Sequence, residues 1–389
     1  MHTLLNRRFV VLLLSVFSAG IFTAPVNALL PAYIERLHYS TSLTGALGAT
    51  SMAVAAVLFL VGGALADWLG YKRTLLLGLI VSCVCGLIFL LSAPLFLFGT
   101  SALIGVGFAL ESVGSQSYLL GAIPAKRLGI GAALFFVGYT LSSSLGSLIF
   151  GLVADAWGDQ AMGCLIFVGL AVSAVATAVV LPNVPLPGAE SRHTLMQTLR
   201  GYHRLLTRPQ VRLLLAIRFL PTCMWGAALL TFSYLIYVET GTYSGPAFYN
   251  CVSLFIAACA QIFTGQFCDR FGLRVPIRVA SISLLICALL TAVFAGSLLG
   301  LWIFGIAMTS SAWSLSTTMP ALMNRVSSAG DKGRIVGAAH VAWGLGMAVG
   351  QLGAGWLIKF EPSACYYVGS LFCAGTVVCA WRITLGEYR

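Results

Sequence analysis

Long apolar runs separated by short polar stretches fill almost the whole chain. A helix needs about 20 apolar residues to cross the hydrocarbon core of a bilayer, and most of these runs reach that length. In lipid, a helix satisfies its own backbone hydrogen bonds. The pattern therefore predicts an all-α membrane protein with twelve transmembrane helices, near residues 9–34, 45–66, 74–92, 95–121, 128–154, 161–182, 211–238, 247–267, 276–296, 299–322, 335–358 and 364–382.

One polar stretch is much longer than the others. Residues 183–210 contain Pro185, Pro187 and several arginines, and they separate the first six apolar runs from the second six. This spacing predicts an N-terminal six-helix bundle over residues 1–182, a linker over 183–210 and a C-terminal six-helix bundle over 211–389.

Composition excludes most soluble proteins. Hydrophobic residues make up 59% of the chain and charged residues 8%, whereas a soluble domain has roughly 25% charged residues. A membrane-embedded enzyme would need catalytic groups such as His, Asp and Ser at one depth, and the spans offer no such set. The 11 cysteines form no CxxC pair and no His/Cys cluster with metal spacing. We therefore expect no enzymatic activity, no metal and no cofactor.

The positive charge is confined to one side of the predicted helices. Of the 22 Lys and Arg residues, 19 lie in segments that share a side with the N-terminus. Arg36 and Lys359 lie on the other side, and Arg218 lies within a span. Cytoplasmic loops of membrane proteins are enriched in Lys and Arg, so both termini and residues 183–210 are predicted to be cytoplasmic. The net charge of +11 thus needs no nucleic-acid partner.

Two fragments recur along the chain. Tyr33-Ile34-Glu35 returns as Tyr237-Val238-Glu239, at an offset of 204 residues. The segment Gly63–Lys72 returns in degenerate form as Gly265–Arg274, at an offset of 202 residues. Two fragments in one order and at nearly one offset indicate duplication of a six-helix unit.

The connection between spans 2 and 3 resembles the signature of the major facilitator superfamily, G-x-L-A-D-R-x-G-R-K/R-x-x-L. Matching positions are Gly63, Asp67, Gly70, Lys72 and Arg73, with a second copy at Gly265, Asp269, Gly272 and Arg274. The resemblance implies two pseudo-symmetric six-helix bundles around a central cavity. It also implies that Asp67 takes part in a latch that holds the halves together when the cytoplasmic side is closed.

The chain departs from two other patterns of that family. Ser101 occupies a position in span 4 where many members have an arginine. The stretch Gly146–Gly151 lacks the proline and one glycine of a motif typical of antiporters. These departures weaken an assignment to proton-driven drug export.

Glu111, Arg218 and His340 lie well away from the ends of their predicted spans, at depths where charge is costly. Glu111 lies about 6 Å to the cytoplasmic side of Gly107, at 1.5 Å per residue. Because water or a cation favours its carboxylate and burial favours the neutral acid, Glu111 is a candidate proton carrier; the alternative is a structural hydrogen bond. Arg218, at a similar depth in span 7, is a second candidate unless it extends to the surface. His340 in span 11 is a third unless it is a packing residue.

Five further side chains are candidates for a substrate cavity, although each alone also fits packing. They lie on the helices that line the cavity in the family, and they are mostly aromatic or neutral: Asn27, Gln116, Trp225, Tyr234 and Trp313.

The sequence therefore predicts a monomeric secondary active transporter in a cell membrane, and its short loops favour a bacterial inner membrane. It would move a small organic or amphipathic solute by rocker-switch alternating access with proton coupling. Symport and antiport, import and efflux stay open. A uniporter, a lipid-like substrate translocator and a receptor without transport are the alternatives.

The predicted topology can be tested with reporter fusions. Fusions after Arg208 and after Lys359 should report opposite sides of the membrane, because an odd number of spans separates the two sites. A cytoplasm-active and a periplasm-active reporter at both sites provide the control. Identical sides would contradict twelve spans.

Overall fold

The computed structural model describes residues 6–123, 128–184, 202–327 and 332–383. Side chains are described within these ranges except at positions 63, 64, 67, 128, 129, 332 and 333. Over this part of the chain the structure is helical, and eleven helices are long and apolar enough to cross a membrane.

One of the eleven, Leu128–Val180, is two spans joined at Gly158, where φ is 82°. The spans are α1 Arg7–Arg36, α2 Thr41–Leu69, α3 Tyr71–Leu90, α4 Pro94–Ala122, α5 128–157, α6 159–180, α7 Pro209–Thr240, α8 Ser244–Phe271, α9 Arg274–Val293, α10 Leu298–Val326, α11 Lys332–Leu357 and α12 Pro362–Arg382. The prediction of twelve spans is confirmed.

Local sequence signals mark several helix ends. Asn6 caps α1 by accepting a hydrogen bond of 2.8 Å from the backbone N–H of Phe9, and prolines open α4, α7 and α12. Gly70 between α2 and α3 has a φ of 94°, and Gly272 between α8 and α9 has a φ of 71°. These values are accessible to glycine and costly for other residues. In both signature copies, therefore, a glycine with a positive φ forms the tight connection between two helices.

The helices form two bundles with matching internal packing. In the first, α4 packs against α2 and α3, and in the second, α10 packs in the same way against α8 and α9. One hydrophobic core is built from α1 to α6 with two residues from the start of α8, and a second core from α7 to α12 with Leu205. The predicted pair of pseudo-symmetric bundles is confirmed.

The predicted linker lies mostly outside the described residues. Its last part is helical over residues 202–206, and Arg208 donates a hydrogen bond of 2.8 Å to the carbonyl of Val326 at the end of α10. The exact bundle boundaries, 1–182 and 211–389, stay predictions.

The two bundles meet along the helix pairs α2–α11 and α5–α8, with α1 and α7 between them. We call the face that holds the α2–α3, α4–α5, α8–α9 and α10–α11 connections the basic face, because nearly all Lys and Arg residues lie there. The other is the opposite face.

On the opposite face, α2 and α11 are in backbone contact. The hydroxyls of Thr41 and Ser42 both donate to the carbonyl of Gly355, at 3.0 and 3.2 Å. An added Cβ on Gly355 would lie 2.6 Å from the carbonyl oxygen of Thr41 and 2.9 Å from the Cα of Gly45. Small residues allow such an approach between membrane helices. We call this contact the neutral seam.

On the same face, α5 and α8 are joined by hydrogen bonds to a charged side chain. The carboxylate of Asp155, near the end of α5, accepts 2.8 Å hydrogen bonds from the backbone N–H groups of Tyr243 and Ser244 at the start of α8. A helix N-terminus stabilises an anion because its first N–H groups have no partner within the helix. We call this contact the charged seam. Beside it, Arg36 forms a 3.3 Å ion pair with Asp159.

The neutral seam predicts different responses at two neighbouring glycines of α11. Gly355→Ala should lower the free energy of unfolding by about 1–3 kcal/mol, because the new methyl group meets α2 backbone that cannot move aside. Gly353→Ala is the control, since a Cβ there meets no atom within 4 Å. Thermal melting of the two purified variants in detergent compares them. Equal melting temperatures would contradict a tight α2–α11 contact.

Candidate functional site

A cavity of about 1930 Å³ lies between the two bundles. Its wall includes residues of α1, α2, α4 and α5 from one bundle and α7, α8, α10 and α11 from the other. Towards the basic face it reaches the helix ends, at Gly121 of α4 and Ser327 after α10. Towards the opposite face it reaches Thr44 and Gln351, which border the neutral seam.

The structure brings most of the predicted site residues to this wall. The side chains or backbones of Asn27, Glu111, Gln116, Arg218, Trp225, Trp313 and His340 line the cavity. Tyr234 does not: it packs on the cluster of Ala227, Ala354, Ile358 and Cys365 instead. Nine residues separate Trp225 from Tyr234, which corresponds to two and a half turns of an α-helix. The two side chains therefore lie on opposite sides of α7.

Glu111 is buried in the wall of the first bundle, with 8% of its surface exposed. An added Cβ on Gly78 of α3 would collide with the Glu111 backbone, so α3 and α4 are in direct contact there. Cys85 and Tyr139 lie within electrostatic range of the carboxylate. No described residue forms a hydrogen bond or an ion pair with it, so the alternative of a structural hydrogen bond gains no support.

Arg218 faces the cavity from the second bundle. Its Nη1 donates a hydrogen bond of 3.0 Å to the hydroxyl of Ser316 on α10, and its Cζ lies 5.9 Å from the ring centre of Trp343 on α11. It forms no ion pair with Glu111 or with any other described carboxylate. In this conformation, therefore, the two charges line one cavity without pairing.

Aromatic rings that were not among the predicted site residues connect the surroundings of Glu111 and Arg218 across the bundle boundary. The ring of Phe108 on α4 lies 5.6 Å from Trp343 and 6.1 Å from Phe59 on α2. Phe59 in turn lies 5.2 Å from the ring of His340. Phe108 precedes Glu111 by three residues and Trp343 follows His340 by three. An aromatic residue about one turn from an ionisable residue within a span was the sequence feature that could have predicted these rings.

His340 is held by its own helix. Its Nδ1 donates to the carbonyl of Val336, at 2.9 Å, and its ring packs on Phe59. Trp225 and Trp313 form a second aromatic pair nearer the opposite face, with ring centres 6.2 Å apart. Within the described ranges, no cluster of three His, Cys, Asp or Glu side chains could hold a metal ion.

The signature residues lie at the basic face. The Nζ of Lys72 donates a 2.8 Å hydrogen bond to the carbonyl of Ala178 near the end of α6, while Gly265 and Asp269 line the cavity near its mouth. Gly63 and Asp67 lie in α2, but their side chains fall outside the described residues. Beside the mouth, burial raises the pKa of the Tyr202 phenol, and Arg334 offsets part of that rise.

Solved transporter structures share this architecture. The human organic anion transporter MFSD10 (TETRAN) has a TM-score of 0.74 at 15% identity, covering 96% of this chain and 99% of that one. A variant of the nucleoside transporter NupG has a TM-score of 0.76 at 14% identity, with coverages of 97% and 99%. A POT family transporter in complex with 5-aminolevulinic acid has a TM-score of 0.78 at 14% identity, with coverages of 96% and 95%.

At these identities the structural likeness establishes the fold alone, and no curated protein matches the chain significantly in sequence. The sequence profile of the Major Facilitator Superfamily, however, matches residues 12–350. That match spans both bundles, both signature copies and the cavity between them. The chain belongs to the Major Facilitator Superfamily.

Proposed function

We propose that this protein is a secondary active transporter that moves a small organic solute by rocker-switch alternating access. The observation that carries the proposal is the cavity, which reaches the basic face while two seams close the opposite face. A site between two similar bundles, accessible from one side at a time, is the arrangement that alternating access requires.

The cavity suits an organic solute rather than an inorganic ion. Ligand pockets usually measure about 300–1,000 Å³ and are mostly apolar with a few polar groups. This cavity is larger, so a solute would share it with water. Its aromatic residues Phe108, Trp225, Trp313 and Trp343 offer flat apolar surfaces, and Asn27 and Gln116 offer neutral hydrogen-bonding groups.

The orientation of the chain follows from its charge. With the basic face in the cytoplasm, this conformation is open inward and closed outward. To open outward, the protein must break both seams and close the mouth near Gly121 and Asp269. We assign the new contact at the basic face to the signature loop, with Asp67 as its acidic residue. A bacterial inner membrane is the proposed location.

Glu111 is the proposed proton carrier. In this conformation it borders a cavity that reaches the basic face. When the mouth closes, the same carboxyl would lie in a dry wall beside Gly78 and Tyr139, where a charge is disfavoured. A proton that enters while the cavity is open to the opposite face would thus be held on the neutral acid, and renewed access to water at the basic face would release it. A uniporter, which needs no such group, is the second candidate.

Replacement of Glu111 by Gln separates these two functions. Glu111→Gln should abolish accumulation driven by a pH gradient, because the amide cannot exchange a proton, while exchange of solute at equal pH continues. The measurement is uptake by proteoliposomes of radiolabelled carboxylates, amino acids and nucleosides, with and without a pH gradient. Glu239→Gln, at the exposed end of α7, is the control and should behave as the unaltered protein.

The outcomes distinguish three cases. If Glu111→Gln still concentrates solute with protons, the carrier lies elsewhere and His340 becomes the next candidate. If the unaltered protein equilibrates solute but ignores the pH gradient, it is a uniporter. If no solute crosses, the transport proposal itself fails.

A further inference from the structure

Arg218 carries a charge that its surroundings leave largely unbalanced. A guanidinium has five N–H donors, and among the described residues one hydrogen bond, to Ser316, is found for it. The face of Trp343 supplies a weak cation–π contact at 5.9 Å. Charged side chains within transmembrane helices usually pair with one another or with backbone carbonyls.

No described carboxylate of the cavity wall pairs with Arg218, so a bound molecule would have to supply the anion. Asp269 and Arg334 lie near the mouth, at the basic-face ends of α8 and α11, and Arg334 has partners of its own. Deeper in the cavity the described Asp, Glu, Lys, Arg and His residues are Glu111, Arg218 and His340. When Glu111 is protonated, the deep cavity holds one unbalanced positive charge.

Aromatic surface continues from Arg218 along α7. Trp225 follows Arg218 by seven residues, which is close to two turns, so both side chains lie on one face of the helix about 10 Å apart along its axis. Trp225 packs edge-on against Trp313 of α10. A cation at one end and an aromatic pair at the other define a site for an elongated molecule with an anionic end.

We propose that Arg218 is the anion-binding residue of this cavity and that the substrate is an organic anion with a planar ring. The carboxylate would accept two hydrogen bonds from the guanidinium, in the forked geometry that arginine favours. The ring would lie towards Trp225 and Trp313. The inference deepens the proposed transport function and rests on it, because it assigns the substrate class of the same site.

The test measures binding rather than transport. The probes are 4-biphenylcarboxylate, 2-naphthoate and the neutral amide of each, titrated calorimetrically into the purified full-length protein in phosphatidylcholine nanodiscs. At least one carboxylate should bind the unaltered protein ten-fold or more tightly than its amide. This comparison needs no variant, so it stands whether or not the variants fold.

Three variants place the charge preference on Arg218. Arg218→Gln should remove the preference, and Arg218→Lys should keep part of it, because an ammonium retains the charge but lacks the planar fork. Arg212→Gln is the matched control on the same helix, since Arg212 is exposed and should leave the preference unchanged. Thermal melting of each variant without probe reports whether it folds.

Three results would overturn the proposal. The first is equal binding of carboxylates and amides, and the second is a preference that survives in Arg218→Gln. A third is competition by lipid. If added phosphatidylglycerol lowers carboxylate binding in the unaltered protein but not in Arg218→Gln, and no carboxylate binds ten-fold tighter than its amide, the occupant is a lipid headgroup.

Failure of this proposal differs from failure of the transport function. Arg218-dependent binding without flux in proteoliposomes would keep the anion site and remove the transport function. Flux of neutral solutes without any preference for anions would keep the transport function and remove the anion site.

Discussion

The structure depends on close backbone contact between the two bundles at one face of the membrane. Lipid chains are as apolar as the side chains they touch, so the hydrophobic effect does little to bring helices together within a bilayer, and packing of small residues must do so. Gly45 and Gly355 provide that packing between α2 and α11, and Asp155 joins α5 to α8. These contacts lie towards the opposite face, and the cavity extends from their level to the basic face.

Much of this architecture follows from the sequence because it depends on period and length. Apolar runs fix the spans, and the repeated Gly63–Lys72 and Gly265–Arg274 segments fix the duplication. The facing of single residues is harder to predict: Tyr234 and Trp225 lie on one helix and differ by nine positions, yet one packs inside the second bundle and the other lines the cavity. Within an apolar run the residues on all sides of a helix are similar. Composition therefore does not show which side faces the cavity and which faces the bundle core.

The sequence did not predict which side chains meet between the two bundles. The rings of Phe59, Phe108, His340 and Trp343 meet across the boundary, although up to 284 positions separate them in the chain. The duplication would suggest equivalent chemistry in the two halves. Instead the first contributes an acid, Glu111, and the second a base, Arg218. The two-fold repeat is thus kept in the backbone, whereas the charged side chains that line the cavity differ between the two halves.

The two seams are equivalent by symmetry but unequal in physical character. The neutral seam joins hydroxyls to the carbonyl of Gly355, whereas the charged seam places an exposed carboxylate, Asp155, at a helix terminus. Interactions of an exposed charge weaken as mobile ions accumulate around it, with a screening length of about 8 Å at physiological ionic strength; hydrogen bonds between neutral groups do not. Mobile ions at the opposite face therefore weaken the contact that Asp155 makes between α5 and α8, and they leave the hydrogen bonds of Thr41 and Ser42 between α2 and α11 unchanged.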